Sequence, residues 1–431
     1  MIKEPVAILI KGPKWCGKST TGLHFSKSYI NLQDPEQKDA YKIAFHGTGW
    51  KDIFKLPKPI LIDEWQEIKE VWNIIKWNVS QLGYHTCEYL LTGSITPKDM
   101  KGLDSGAGRY VTFIMNTMTL YELGASSGEI SLKQLVDKLP KEFPVYKKKT
   151  NEKIPFLICS GGWPMIVNIK DEKNKLKVVS DYINHICSKE VIRYFKLGLK
   201  EELALAILKE YARLVATPNN KEDSSSGKYT NIVNELKNKY PTLTRQTVSK
   251  YINVFKRLYV INELEAWNAN IRSRGYLKLS NKKYFCDPSI APALLNKKPG
   301  DLMWDPETLG LFFENLVLRD LKVYMEYHDG SINYYSDRFS YESDFVLNFS
   351  GDSYALVEVK YSSSEEQIKQ AVKSLSSIYD AIKAKQEKSN NKRKYRLPRA
   401  LIIITSHGFP YRYKEKKEYP IYVIPITFLK P

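Results

Sequence analysis

Residues Gly12-Pro13-Lys14-Trp15-Cys16-Gly17-Lys18-Ser19-Thr20 follow the pattern G-x-x-x-x-G-K-[ST], whose chemistry is the holding of a polyphosphate. Gly12 and Gly17 let successive backbone N–H groups turn inward around a β-phosphate, at the start of a helix beginning near Lys18. Lys18 would reach the β- and γ-phosphates, and the Ser19 hydroxyl would hold Mg²⁺. ATP and Mg²⁺ are therefore the expected ligands. A second acidic motif supports this reading. Pro59-Ile60-Leu61-Ile62-Asp63-Glu64 is an apolar run ending in adjacent carboxylates, which delivers charge to the carboxyl edge of a parallel sheet. There Asp63 would hold Mg²⁺ through water and Glu64 would polarise the attacking water.

Two further features could serve the same chemistry. The run Tyr89-Leu90-Leu91-Thr92-Gly93-Ser94 ends in small polar residues, which suit either a γ-phosphate sensor or an ordinary strand exit. Arg109 follows the glycine pair Gly106 and Gly108. It could neutralise transition-state charge on its own nucleotide or on a neighbour's, or stand as a solvated loop cation.

A third cluster lies near the other end. Glu342-Ser343-Asp344-Phe345-Val346-Leu347 and Tyr354-Ala355-Leu356-Val357-Glu358-Val359-Lys360 flank the turn residues Ser350 to Ser353, so they predict a hairpin. Period-two alternation puts Glu358 and Lys360 on one face of the second strand, and a suitable register brings Asp344 opposite them. Two carboxylates would bind Mg²⁺ while the lysine positions or activates the water that attacks a phosphodiester. Glu314 sits on an apolar helix stripe with Val317, Leu318 and Leu321 and needs a partner, either a metal or Lys360. The alternative is a buried Glu–Lys pair that holds helix to sheet.

These groups must be positioned by several domains. The chain has 431 residues, 43% hydrophobic and 12% aromatic, enough for two or three cores. Apolar strands alternate with helical segments to about residue 125, and Val6 to Ile10 supplies the strand ahead of the phosphate pattern, with a helix over 20–29 behind it. Polar or basic breaks fall at 140–153, 218–227 and 387–399, and Gly161-Gly162-Trp163-Pro164 reads as a tight turn. From Leu243, the apolar residues Val248, Tyr251, Ile252, Phe255 and Leu258 recur with helical period, leaving Arg245, Gln246, Ser249 and Lys250 on the opposite face. With helices over 202–216 and 229–239 before it, and strands over 259–267 and 275–285 after it, this predicts a winged helix-turn-helix. Its third helix would enter a DNA major groove or serve as a packing module. Further strands are expected at 401–405 and 422–429.

The formal net charge of +18 points to polyanionic partners, DNA first and an anionic membrane surface last. No apolar stretch approaches the roughly 20 residues of a membrane span, and residues 1–10 run into the first strand rather than a secretory signal. Five cysteines without a C-x-x-C pair predict a reducing cytoplasm and no structural zinc.

The acid, gap, acid-x-lysine order of Asp344, Glu358 and Lys360 resembles the PD-(D/E)xK nuclease core, with Ser343-Asp344 in place of Pro-Asp. Taken with the phosphate pattern, Asp63-Glu64, Gly108-Arg109, the Gly161 to Pro164 turn and the winged helix, the chain resembles bacterial and archaeal AAA-type ATP-binding proteins. Those carry a C-terminal domain of unknown function with a nuclease-like core. The resemblance implies an α/β protein: an AAA+-like P-loop domain with a parallel sheet over 1–195, a winged helix over 196–290 and a nuclease-like domain over 291–431. It also implies an ATP site at Lys18, Ser19, Asp63 and Glu64 and a nuclease-like site at Asp344, Glu358 and Lys360. The leading expectation is a cytoplasmic, DNA-directed ATPase whose ATP state controls a metal-dependent nuclease-like domain. The other is an ATP-operated switch whose C-terminal half binds protein or forms a homo-oligomer without catalysis.

Overall fold

The structure, a computed structural model, describes residues 7–81, 87–93, 108–146, 153–194, 200–218, 229–267, 280–337, 341–351, 353–389, 395–414 and 418–431. Ser94, Gly106, Ala107, Asp352, most of the 218–227 break and the start of the 275–285 strand lie outside them. The chain divides into two compact units, 1–117 with 257–259, and 118–256 with 260–431.

In the first unit, β1 (Ala7–Lys11), β2 (Ser28–Asn31), β3 (Ile60–Asp63), β4 (Tyr89–Thr92) and β5 (Tyr110–Ile114) form one parallel sheet in the order β2-β3-β4-β1-β5. Ile60, Leu61 and Ile62 are all buried, as expected of a parallel strand covered on both faces. Helix Glu70–Gln81 buries Val71, Trp72, Ile75 and Val79. Trp72 stacks on Tyr110 of β5 with ring centroids 3.8 Å apart. The helix after the phosphate pattern starts at Lys18, as expected, but ends at Phe25 rather than continuing to Tyr29. Ser26 is extended, and Tyr29 pairs in register with Leu61, so strand addition to the sheet wins over helix continuation.

The second unit holds β6 (Ile130–Ser131), β7 (Ile261–Leu264), β8 (Ala266–Trp267), β9 (Lys282–Phe285), β10 (Ser331–Ser336), β11 (Glu342–Phe349), β12 (Ser353–Lys360), β13 (Ala400–Thr405), β14 (Tyr411–Arg412), β15 (Ile421–Pro425) and β16 (Leu429–Lys430). Seven of them make a mixed sheet in the order β14-β15-β13-β12-β11-β10-β8. β10, β11 and β12 pair antiparallel in turn, β8 joins β10 in parallel, β12, β13 and β15 are parallel, and β14 is antiparallel to β15. Helix Glu365–Glu387 covers the sheet with Ile368, Val372, Leu375, Tyr379 and Ile382 packed on Leu356, Leu401, Ile403 and Val423. The strand expected at 422–429 is interrupted: β15 stops at Pro425, residues 426–428 form a 3₁₀ turn, and β16 leaves to pair with β6.

Helices Glu201–Val215, Thr230–Leu236 and Arg245–Arg257 precede the antiparallel ribbon of β7 and β9. The middle helix is shorter than expected. A buried charge network also crosses this unit at the Gly161 to Pro164 turn. Gly162 N donates to Asp287 Oδ2 (2.9 Å) and Trp163 Nε1 to Ser289 Oγ (3.0 Å). Met118 N donates to Gly162 O (2.7 Å), and Leu120 N to Asp320 Oδ2 (2.9 Å). Arg319, 1% exposed, pairs with Asp320 at 2.7 Å and Asp287 at 3.5 Å. No helix among the described residues is long and apolar enough to cross a membrane.

Candidate functional site

The phosphate pattern forms the turn between β1 and helix Lys18–Phe25. Trp15 (φ 65°) and Gly17 (φ 97°) take left-handed backbone, the alternation that folds successive N–H groups into an anion-binding hollow. Gly12 is required for space: a Cβ there would lie 2.0 Å from Met115 O, because the chain leaving β5 crosses directly over the turn. The buried Lys18 ammonium donates to Gly12 O (3.1 Å) and Pro13 O (2.8 Å), so it closes over the hollow. Cys16 is buried, with its thiol pushed up by burial, and Thr20 is exposed in the first helical turn.

Sheet register supplies the second half of the site. Thr92 of β4 lies opposite both Ile10 of β1 and Asp63 of β3, which aligns the carboxyl ends of the three strands beside the turn. Asp63 Oδ1 accepts from Ser19 Oγ (2.9 Å) and from the Thr92 hydroxyl, while Oδ2 accepts from Tyr29 OH at 3.3 Å. Ser19 and Asp63 thus converge as a Mg²⁺ site needs, and these residues fit the metal and its nucleotide. Thr92 belongs to the run read as a γ-phosphate sensor or strand exit, but its contact with Asp63, like that of Tyr29, arises only through strand pairing.

Glu64 begins where β3 ends, in left-handed backbone (φ 54°). That conformation is strained for a side chain of this type, which is characteristic of functional positions. Burial pushes its carboxyl pKa up, and the nearby Lys14 ammonium opposes the shift. Gln66 Nε2 donates to Glu64 Oε2. Gly93 gives Gln66 room, because a Cβ there would fall 2.2 Å from Gln66 Oε1.

Arg109 is placed elsewhere. Its carbonyl accepts from Ala7 N (2.8 Å) and its Nε donates to Ser80 Oγ at 3.2 Å. Both contacts are at the amino end of β1, roughly 13 Å of strand from the phosphate turn at about 3.3 Å per residue. Parallel register therefore sets Arg109 at the opposite edge of the sheet from its own chain's phosphate turn.

The second unit assembles the other cluster. Phe345 opposite Val357 continues the register so that Asp344 meets Glu358. Lys360 Nζ lies 2.9 Å from Glu358 Oε1, as alternation predicted. Asp344 Oδ2 accepts from Val359 N (2.8 Å), and the buried Ser343 hydroxyl donates to Val357 O (2.8 Å), which fixes the start of β11. Glu314 does not find Lys360. It is paired with Lys282 of β9 at 3.2 Å and accepts from Tyr284 OH at 2.5 Å. The Lys282 ammonium also contacts Glu342 (2.9 Å) and Asp344 (3.3 Å). Burial alone would lower the Lys282 pKa, but the surrounding carboxylates hold it well above its usual value. Glu358 is pushed up by burial and by the Asp344 charge, to about 8. Among the described residues, no group of three or more His, Cys, Asp or Glu is arranged to hold a metal ion. The placement of Glu314, Asp344 and Glu358 as joint Mg²⁺ ligands therefore does not fit, because an ammonium already takes the acceptors. Sequence offered no signal for Lys282 or Tyr284 as members of this cluster, and Glu342 stood in the quoted run without a role of its own.

On the third helix, Arg245, Gln246 and Lys250 are exposed and Ser249 is half-buried, while Val248, Tyr251, Ile252, Val254 and Phe255 face the interior.

Comparison with known proteins follows the same divisions. Residues 4–124 match the model of an AAA domain, 151–301 a domain of unknown function (DUF8612) and 309–429 a domain of unknown function (DUF4143). A Walker-type ATPase of Pyrococcus abyssi is similar over 68% of this chain and 91% of that one, at 11% identity and TM-score 0.37. An assembly of McrB AAA+ hexamers with bound McrC from Thermococcus gammatolerans matches over 52% and 46%, at 12% identity and TM-score 0.20. The ORC1 protein of Aeropyrum pernix, solved in complex with DNA, matches over 68% and 86%, at 12% identity and TM-score 0.24. A search of curated proteins gives no match. AAA domains in general bind ATP with Mg²⁺. Residues 4–124 are thus an AAA-type P-loop domain, followed by two stretches that match domains of unknown function.

Proposed function

We propose that this chain is a Mg²⁺-dependent ATP hydrolase that engages DNA, with nucleotide state governing how the winged helix meets the duplex. The observation that carries the hydrolase reading is the convergence of Ser19 Oγ and Asp63 Oδ1 at 2.9 Å beside the half-buried Glu64. When bound, Mg²⁺ would neutralise charge on the β- and γ-phosphates. Ser19 and Asp63 hold its place, Lys18 exchanges its loop carbonyls for phosphate oxygens, and Glu64 takes up the proton of the attacking water. Lys18→Ala should abolish ATP binding, whereas Glu64→Gln should keep binding and suppress turnover. Nucleotide binding by calorimetry and phosphate release decide this, and unchanged hydrolysis in both variants would refute it.

The DNA part rests on the net charge of +18 and the exposed Arg245, Gln246 and Lys250 on one helix face. For the second unit's acidic cluster, the contacts of Lys282 favour the switch reading over metal-dependent cleavage. In that reading Glu358 and Lys360 form a structural contact along β12 and take no part in catalysis.

A further inference from the structure

Lys282 belongs to β9, outside the acid, gap, acid-x-lysine pattern, yet it reaches the first acid of that pattern, Asp344, while Lys360 pairs with Glu358. Its ammonium has three protons, and three carboxylates from two separate elements each present one oxygen: Glu314 from helix Pro306–Tyr327, Glu342 and Asp344 from β11. The donors are therefore fully matched at 2.9–3.3 Å. Other acceptor capacity is taken as well. Tyr284 OH donates to Glu314 and Val359 N to Asp344. A divalent cation would need carboxylate oxygens at about 2.0–2.6 Å around a centre free of other charge. Here the centre already carries a positive charge, and the lysine side chain that brings it is only 7% exposed.

We infer that Lys282 is the resident cation of this carboxylate cage, occupying the place a metal would take, so that the cage is closed to divalent ions. The apparent metal signature in the sequence is then satisfied from within the chain. Replacing the ammonium by a neutral side chain of similar length converts the cage into a divalent-cation site. This holds whether or not the chain hydrolyses ATP or binds DNA.

The test uses the full chain without nucleotide and Mn²⁺ alone as probe, followed by calorimetry, electron paramagnetic resonance and thermal melting. Wild type and Lys282→Arg should show no Mn²⁺ site that Asp344→Asn removes. Lys282→Met should melt lower than wild type in chelator, recover in Mn²⁺, and gain one site that is lost in the Lys282→Met/Asp344→Asn double variant. A Mn²⁺ site in wild type that Asp344→Asn removes would overturn the inference. So would a Lys282→Met protein that melts with wild type and takes up no metal, or one that is unfolded in chelator and not rescued by Mn²⁺.

Discussion

At the residue scale, four side chains of the first unit carry the proposed chemistry. Lys18 and Ser19 sit in one turn, and Asp63 and Glu64 end one strand, so local pattern alone located them. Thr92, Tyr29 and Lys282 act through partners 29, 34 and 62 residues away; strand pairing brings the first two there, and packing of the separate β7–β9 ribbon brings Lys282. The three roles open to Arg109 could not be told apart for the same reason, since its distance from the phosphate turn follows from parallel register rather than from its neighbours. Glu64 carries a testable consequence. Its proton must be absent for it to act as a base, and burial raises the pH at which the proton leaves. The acid limb of kcat against pH should accordingly lie above the ordinary glutamate value of about 4.3. A turnover profile that stays flat down to that value would count against Glu64 as the base.

At the element scale, the hairpin of β11 and β12 was legible from alternation, whereas the break after Pro425 was not, because an apolar run does not reveal which sheet it joins. The hairpin stores a pH dependence. Glu358 holds its proton more tightly in the fold than in the unfolded chain, with a folded value of about 8, chiefly through burial and then the Asp344 charge. Its contribution is complete below the ordinary glutamate range and is lost as pH rises toward 8. Unfolding free energy should therefore fall between pH 5 and pH 8.5, by at most about 1.4 kcal/mol per pH unit for one proton, seen as a falling melting temperature that Glu358→Gln should flatten. The turn at Gly161 and Gly162 makes a second case. A Cβ on Gly162 would lie 2.0 Å from Met118 O and 2.9 Å from Arg319 Nη1, neither of which can retreat. Gly162→Ala should cost about 2–4 kcal/mol in thermal or denaturant unfolding. Gly300→Ala, with nothing within 4 Å of its Cβ, should leave stability near that of wild type.

At the scale of the whole molecule, composition gave the sign of the partner and nothing about where it binds. If the third helix enters a duplex, affinity should fall steeply with salt, each phosphate contact adding roughly 0.9 to the log–log slope. Arg245→Ala with Lys250→Ala should reduce that slope by about 2, as measured by fluorescence anisotropy on duplex DNA. Salt-independent binding would remove DNA from the account. The pairing of β16 with β6 bears on another matter, the order in which the chain acquires its structure. Ser127 Oγ and Ser127 N both donate to Thr427 O, 300 residues away, and Leu429 lies in register with Ile130. The parallel sheet of the first unit is complete once residue 114 has left the ribosome. The second unit cannot close until some 300 further residues have followed, at about 5–20 residues per second. For that interval, on the order of tens of seconds, Ile130 and its neighbours lack their β16 partner, which makes this early segment the natural client of a chaperone during synthesis.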